Sequence, residues 1–146
     1  CMEERYKKII NTLAKNKNDY KIISKPFEDV ILKNDSYDLI FTSPPFFTFE
    51  IYENNKKQSV SKFQSVELWK EDFLFHSVDK CIDYLQLNGH LALYITDYKE
   101  YRYINDLIEH VKKDDRMIRL DNIKWYNIDT NKKKRIIYIW KKINID

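Results

Sequence analysis

Hydrophobic positions along the chain alternate between helical and strand-like spacing. Tyr6, Ile9, Ile10 and Leu13 recur as one helix face, and the pattern dissolves in the polar stretch 15–19. A short strand is predicted at residues 20–24, ended by Pro26. Tyr37–Thr42 reads as a buried strand, halted at Ser43-Pro44-Pro45 because a proline has no N–H to give a ladder. Residues 52–64 are polar and irregular. Val66, Trp69, Phe73, Leu74, Val78, Cys81, Ile82 and Leu85 then share one broad helical face. Ser65 suits its N-cap, Glu67 its first turn and Asn88-Gly89 its stop. Leu91-Ala92-Leu93-Tyr94-Ile95-Thr96 is the continuous apolar run of a parallel strand covered on both faces. Ile104, Leu107, Ile108 and Val111 mark a shorter helix, and residues 123–128, a turn at 129–134 and residues 136–140 form a hairpin. The order helix, strand, strand, helix, strand, helix, hairpin is that of an α/β domain.

Composition narrows this little. The 146 residues suffice for one core, and 43% hydrophobic with 15% aromatic residues indicates a globular chain. A net charge of +3 permits a nucleic acid partner without demanding one. Cys1 and Cys81 suggest neither a disulfide framework nor a metal site, which points to a reducing intracellular compartment, cytoplasm or nucleus. No apolar run approaches the roughly 18 residues of a membrane span. His76, His90 and His110 are scattered without ligand or triad spacing, so no metal is expected. Glycine changes the picture most: Gly89 is the only one, which excludes a Gly-rich phosphate or dinucleotide loop within these residues.

Chemistry concentrates at Thr42-Ser43-Pro44-Pro45-Phe46. It stands at the carboxyl end of a strand, the edge where open α/β sheets bind ligands. Two prolines stiffen the corner and aim the Ser43 hydroxyl and the Pro44 carbonyl outward, both as hydrogen-bond acceptors. Such a pair suits a substrate –NH2. An exocyclic amine delocalises its lone pair into the ring, and two acceptors on its hydrogens draw the nitrogen toward tetrahedral geometry. Phe46 and Phe47 offer π faces on which an extruded base could stack.

These residues resemble the (Asp/Asn/Ser)-Pro-Pro-(Tyr/Phe/Trp) motif of class I S-adenosylmethionine-dependent amino-methyltransferases, the adenine-N6 and cytosine-N4 DNA methylases. Tyr37-Asp38-Leu39-Ile40-Phe41, Glu50-Ile51-Tyr52, Gln58-Ser59, the helix from Trp69 to Phe73, Leu87-Asn88-Gly89-His90-Leu91 and Ile137-Tyr138-Ile139-Trp140-Lys141-Lys142 are similar to successive landmarks of the family. The resemblance implies that Ser43, Pro44, Pro45 and Phe46 form the catalytic corner, with the base, adenine or cytosine, left open. It implies S-adenosylmethionine as cofactor, with Phe27, Glu28 and Asp29 near its adenosine. It further implies nucleic acid, DNA more than RNA, as substrate. The family sheet runs 3-2-1-4-5-7-6. The chain is thus expected to be a partial Rossmann-like sheet, strands 3 to 7, without the cofactor-loop strands 1 and 2. Residues 20–24 would be strand 3, 37–42 strand 4, 91–96 strand 5 and the hairpin strands 6 and 7. Strand 4 would then show an open apolar edge, so a preceding segment or a second polypeptide is expected to complete the sheet.

Other residues join the candidates by position. Lys132, Lys133 and Lys134, in the hairpin turn at the same edge as Ser43, could meet phosphates. Residues 52–64 could form a lid, Asp97 stands where it could shape a pocket, and Trp69 and Phe73 read as core. A non-catalytic relative that binds nucleic acid or scaffolds an active partner is the competing expectation.

Overall fold

The computed structural model describes residues 2–45, 47, 63, 65–98, 100–125 and 135–145. The chain divides into two compact units, Cys1–Ile31 and Leu32–Asp146.

In the first unit, α1 (Met2–Leu13) carries the predicted stripe, opens with Glu3 and Glu4, and is braced by a Glu3–Lys7 ion pair at 2.6 Å. Single 3-10 turns follow at Lys17–Asp19 and Phe27–Asp29. The strand expected at residues 20–24 is not formed. Tyr20 has extended dihedrals, yet no ladder joins the segment among the described residues. An extended segment without a hydrogen-bonded neighbour is not a strand, whatever its β propensity.

The second unit is mixed α/β, an open sheet with helices. β1 (Tyr37–Thr42) leads through residues outside the described set to α2. This helix runs as an α turn Val66–Trp69, a π segment Lys70–Phe75 and an α segment His76–Tyr84. β2 (Leu85–Tyr94), α3 (Ile104–Lys112), β3 (Met117–Arg119), β4 (Ile123–Trp125) and β5 (Arg135–Lys142) complete it. The sheet order is β1-β2-β5-β3, with β4 also on β5. β1 and β2 are parallel, and β5 is antiparallel to β2, β3 and β4. The β4–β5 pairing realises the predicted hairpin over its described residues.

Ser65 caps α2, its hydroxyl accepting from Leu68 N at 3.2 Å, a contact worth about 1 kcal/mol. Within the π segment Phe73, Leu74 and Phe75 are consecutive and all buried.

The helix stops at Tyr84, and Leu85 already opens β2, so the stop expected at Asn88-Gly89 is displaced. Those two residues instead sit where the β1–β2 register jumps. Tyr37 pairs with Leu85, but Leu39 pairs with His90, so two steps on β1 match five on β2. Asn88 takes φ 66 there. A Cβ on Gly89 would stand 2.8 Å from the carbonyl oxygens of Gln86 and Tyr37, so only glycine fits this crossing of backbones. β2 therefore begins earlier than the apolar run 91–96 and ends at Tyr94.

Side chains alternate across the strands. Leu91, Leu93 and Trp140 are on one face, and all are buried in the core with Trp69, Leu74, Ile82 and Leu107 of the helices. Tyr37, Leu39 and Phe41 belong with Ala92 and Ile139 on the other, where Leu39 and Phe41 are each 60% exposed.

At the sheet edge opposite Ser43, Lys142 is buried. Its ammonium donates to Ile82 O (3.0 Å), Leu85 O (2.8 Å) and Asp35 Oδ1 (2.7 Å). Asp35 N and Ser36 N donate to Asp83 O and Tyr84 O. The last carbonyls of α2 are thereby satisfied, and the entry to β1 is fixed against them.

Candidate functional site

Thr42, the last residue of β1, pairs with Leu93, and the chain then leaves the sheet as Ser43-Pro44-Pro45. Ser43 is exposed and both prolines are half-buried. Since β1, β2 and β4 run parallel and β5 opposes them, the C-terminal ends of β1, β2 and β4 and the start of β5 share this edge. Phe46, Lys132, Lys133 and Lys134 lie outside the described residues, as does the expected lid 52–64 except Phe63.

Beyond the corner stands an aromatic cluster. Phe47, 6% exposed, meets Trp69 at 5.8 Å between ring centroids and takes the edge of Tyr101 at 5.2 Å and 86°. Trp69 also packs on Tyr103 (5.1 Å) and Phe73 (6.0 Å), and Phe73 on Phe63 (6.2 Å). Each such pair adds about 0.5–1.5 kcal/mol beyond its buried area. Trp69 and Phe73 are core, as their spacing suggests. Phe47 is part of this wall, its ring engaged by neighbouring rings. The indole N–H of Trp69 is buried without an acceptor among the described residues.

Asp97, three residues past β2, organises the same edge. Its Oδ1 accepts from the backbone N–H groups of Tyr103 (2.9 Å) and Ile104 (3.0 Å), satisfying orphan donors at the start of α3. The Tyr103 hydroxyl donates to Thr96 O at 2.7 Å, and Tyr98 and Tyr101 exchange backbone hydrogen bonds. Burial first, then the Asp97 charge, push the Tyr103 phenol well above its ordinary value, and Tyr138 is raised by the same two causes. The sequence reading marked Asp97 by position alone and missed Tyr101 and Tyr103. Their only signal was the run of tyrosines after an apolar strand.

Phe27, Glu28 and Asp29 occupy the second 3-10 turn of the first unit, Asp29 exposed and the other two half-buried, with Val30 N donating to Phe27 O at 3.1 Å. Clefts of about 450 Å³ beside Asp79 and His110 and about 340 Å³ beside Asp35 and Lys142 lie away from the corner, and the first unit has its own cleft of about 390 Å³ beside Glu3 and Tyr6. Cys81 is buried and unpaired, its thiol pushed up to about 12 by desolvation. Among the described residues no three His, Cys, Asp or Glu side chains could hold a metal ion, and no helix is long and apolar enough to cross a membrane.

No family model matches the chain, and no curated protein does. Among solved structures it is similar to a chain of Thermus thermophilus described as a proposed DNA modification methylase. Identity is 19% and the TM-score 0.52, over 79% of this chain and 49% of that one. This chain thus spans about half the length of that structural neighbour, and the likeness is one of fold, an open α/β sheet.

Proposed function

We propose that the chain is the base-facing part of an S-adenosylmethionine-dependent methyltransferase acting on an exocyclic amino group of a nucleic acid base, adenine N6 or cytosine N4. One observation carries this reading: Ser43-Pro44-Pro45 directly follows a parallel strand, at the edge where that strand and its neighbour both end. The methylase-like fold supports it. In this reading β1 is family strand 4, β2 strand 5, and the β4–β5 hairpin strands 6 and 7. The pairing of β1 with β2, of β2 with β5 and of β5 with β4 supports this reading.

The chemistry asked of this corner is positional. The Ser43 hydroxyl oxygen and the Pro44 carbonyl accept the two amine hydrogens, localise the nitrogen lone pair and direct it away from the ring plane. Neither proline brings an N–H that would compete. Phe46 stacks on the base, and Phe47 supports the corner from the cluster behind it. When bound, S-adenosylmethionine supplies an electrophilic methyl group. Phe27 with Glu28 and Asp29, a ring to pack on its adenine beside two carboxylates to accept from its ribose hydroxyls, would suit it. Lys132, Lys133 and Lys134 are assigned to phosphates, and DNA is favoured over RNA by the description of the structural neighbour. A segment or second polypeptide adding a parallel strand to β1 belongs to the same proposal.

The test is transfer of labelled methyl from S-adenosylmethionine to unmethylated DNA by the full-length protein. Ser43→Ala is expected to lower kcat on the order of 100-fold, the scale of losing one positioned hydrogen bond in a transition state. Undiminished transfer by that variant overturns the mechanism.

A further inference from the structure

Among the described residues, the Ser-Pro-Pro corner has few of the usual means of being held. Pro44 and Pro45 have no backbone N–H, and the β1–β2 ladder ends at Thr42. Ser43 is exposed and the prolines only half-buried, so packing at the corner itself fixes little. Among the described residues, the first buried side chain after the corner is Phe47. Among the described residues its ring partners come from different elements, Trp69 from α2 and Tyr101 from the loop after β2.

That loop is closed on itself by side chains. Asp97 gathers the amides of Tyr103 and Ile104 on one carboxylate oxygen, and the Tyr103 hydroxyl returns to Thr96 O. The Tyr98–Tyr101 bridge fixes the position of Tyr101 between these anchors. Tyr103, fully buried, presses on Trp69 at 5.1 Å, so Trp69 and Tyr101, which meet Phe47, both trace back to the same clasp.

We propose that Asp97 is a positioning residue for the Ser43-Pro44-Pro45 corner, acting through the loop it closes and through the Tyr101 ring against Phe47. The proposal rests on the methyl-transfer reading for its consequence, but the mechanical link stands on geometry alone. Asp97 touches neither base nor cofactor in this scheme. Its carboxylate sets where Tyr101 stands, Tyr101 sets Phe47, and Phe47 sets the direction in which the two acceptors point.

Two readouts in the full-length protein test it. The first is amide hydrogen exchange over the peptide spanning residues 42–47, which needs no activity. Asp97→Ala and Tyr101→Ala are expected to accelerate exchange there, and Tyr101→Phe, which keeps the ring, is expected not to. The second is steady-state methyl transfer. Asp97→Ala and Tyr101→Ala should lower kcat on the order of 100-fold with KM for DNA and cofactor within about twofold, as expected of a misplaced reactive group. Tyr101→Phe should restore the wild-type rate. Arg116→Ala, which loosens the opposite sheet edge, should leave kcat unchanged and so separates positioning from general loss of stability. Unaltered exchange at 42–47 in both alanine variants overturns the clasp whatever the activity. Faster exchange in both alanine variants of a protein whose wild type transfers no methyl supports the clasp and instead sinks the methyltransferase reading.

Discussion

Gly89 is the chain's one glycine, and its role is a close crossing of backbones rather than phosphate binding. Gly89→Ala sets a methyl group 2.8 Å from two carbonyl oxygens that belong to the backbone and have no flexible way to withdraw. The variant is expected to be destabilised by about 1–3 kcal/mol, the usual cost of overpacking, measured by urea unfolding. The strand-to-strand register that delivers Thr42 and Ser43 to the sheet edge starts from this crossing. Lys142 acts on the same part of the fold from another direction, giving one ammonium to the carbonyls of Ile82 and Leu85 and to Asp35.

Among the elements, α3 and β3 are joined by a short connection built on charge. Arg116 bonds Asp114 through its Nε and Nη2 groups, at 2.9 and 2.7 Å, and reaches Asp83 at the end of α2 with Nη1 at 3.0 Å. The Arg116 hydrogen bonds hold the Asp114 carboxyl below its ordinary 3.8, against the opposing effect of burial. A carboxylate whose folded pKa is depressed contributes stability above the unfolded value and loses it as pH falls through the folded one. The protein is therefore expected to lose stability below about pH 4, and Asp114→Asn to flatten that decline while lowering stability at pH 7. Thermal unfolding at pH 7, 4 and 3 checks both outcomes. The π segment of α2 is a second device at this scale. By admitting Phe73, Leu74 and Phe75 together into the interior it brings α2 against the cluster behind the corner and, through Phe75 stacked on His110 at 4.3 Å, against α3.

At the scale of the whole molecule, the sheet is open. Among the described residues β1 has one ladder neighbour, and Leu39 and Phe41 project from it largely exposed. A strand with unpaired backbone groups and apolar side chains beside them recruits other strands. The 146-residue chain by itself is expected to self-associate with rising concentration in light scattering, and Leu39→Lys with Phe41→Lys to return it toward the monomer. A polypeptide that adds a strand to β1 should suppress association in the same way. A monodisperse wild-type chain would remove the physical reason for assigning β1 a missing neighbour.

The sequence alone determined the features that depend on local periodicity and residue chemistry. These are the α/β order, the strand ending at Thr42, the capped helix from Ser65, the shorter helix after β2, the closing hairpin, and a Ser-Pro-Pro corner directly after a parallel strand. What it misread depends on partners distant in the chain. Residues 20–24 have the composition of a strand but no ladder among the described residues, and Asn88-Gly89 have the composition of a helix stop but serve a register jump set by Tyr37. Only the tertiary structure decided that Phe47 belongs to a wall of rings and that Asp97 reaches ahead to Tyr103 and Ile104 to start α3. Hydrogen-bond partners and ring contacts are properties of where two segments meet, and no pattern within either segment records that meeting.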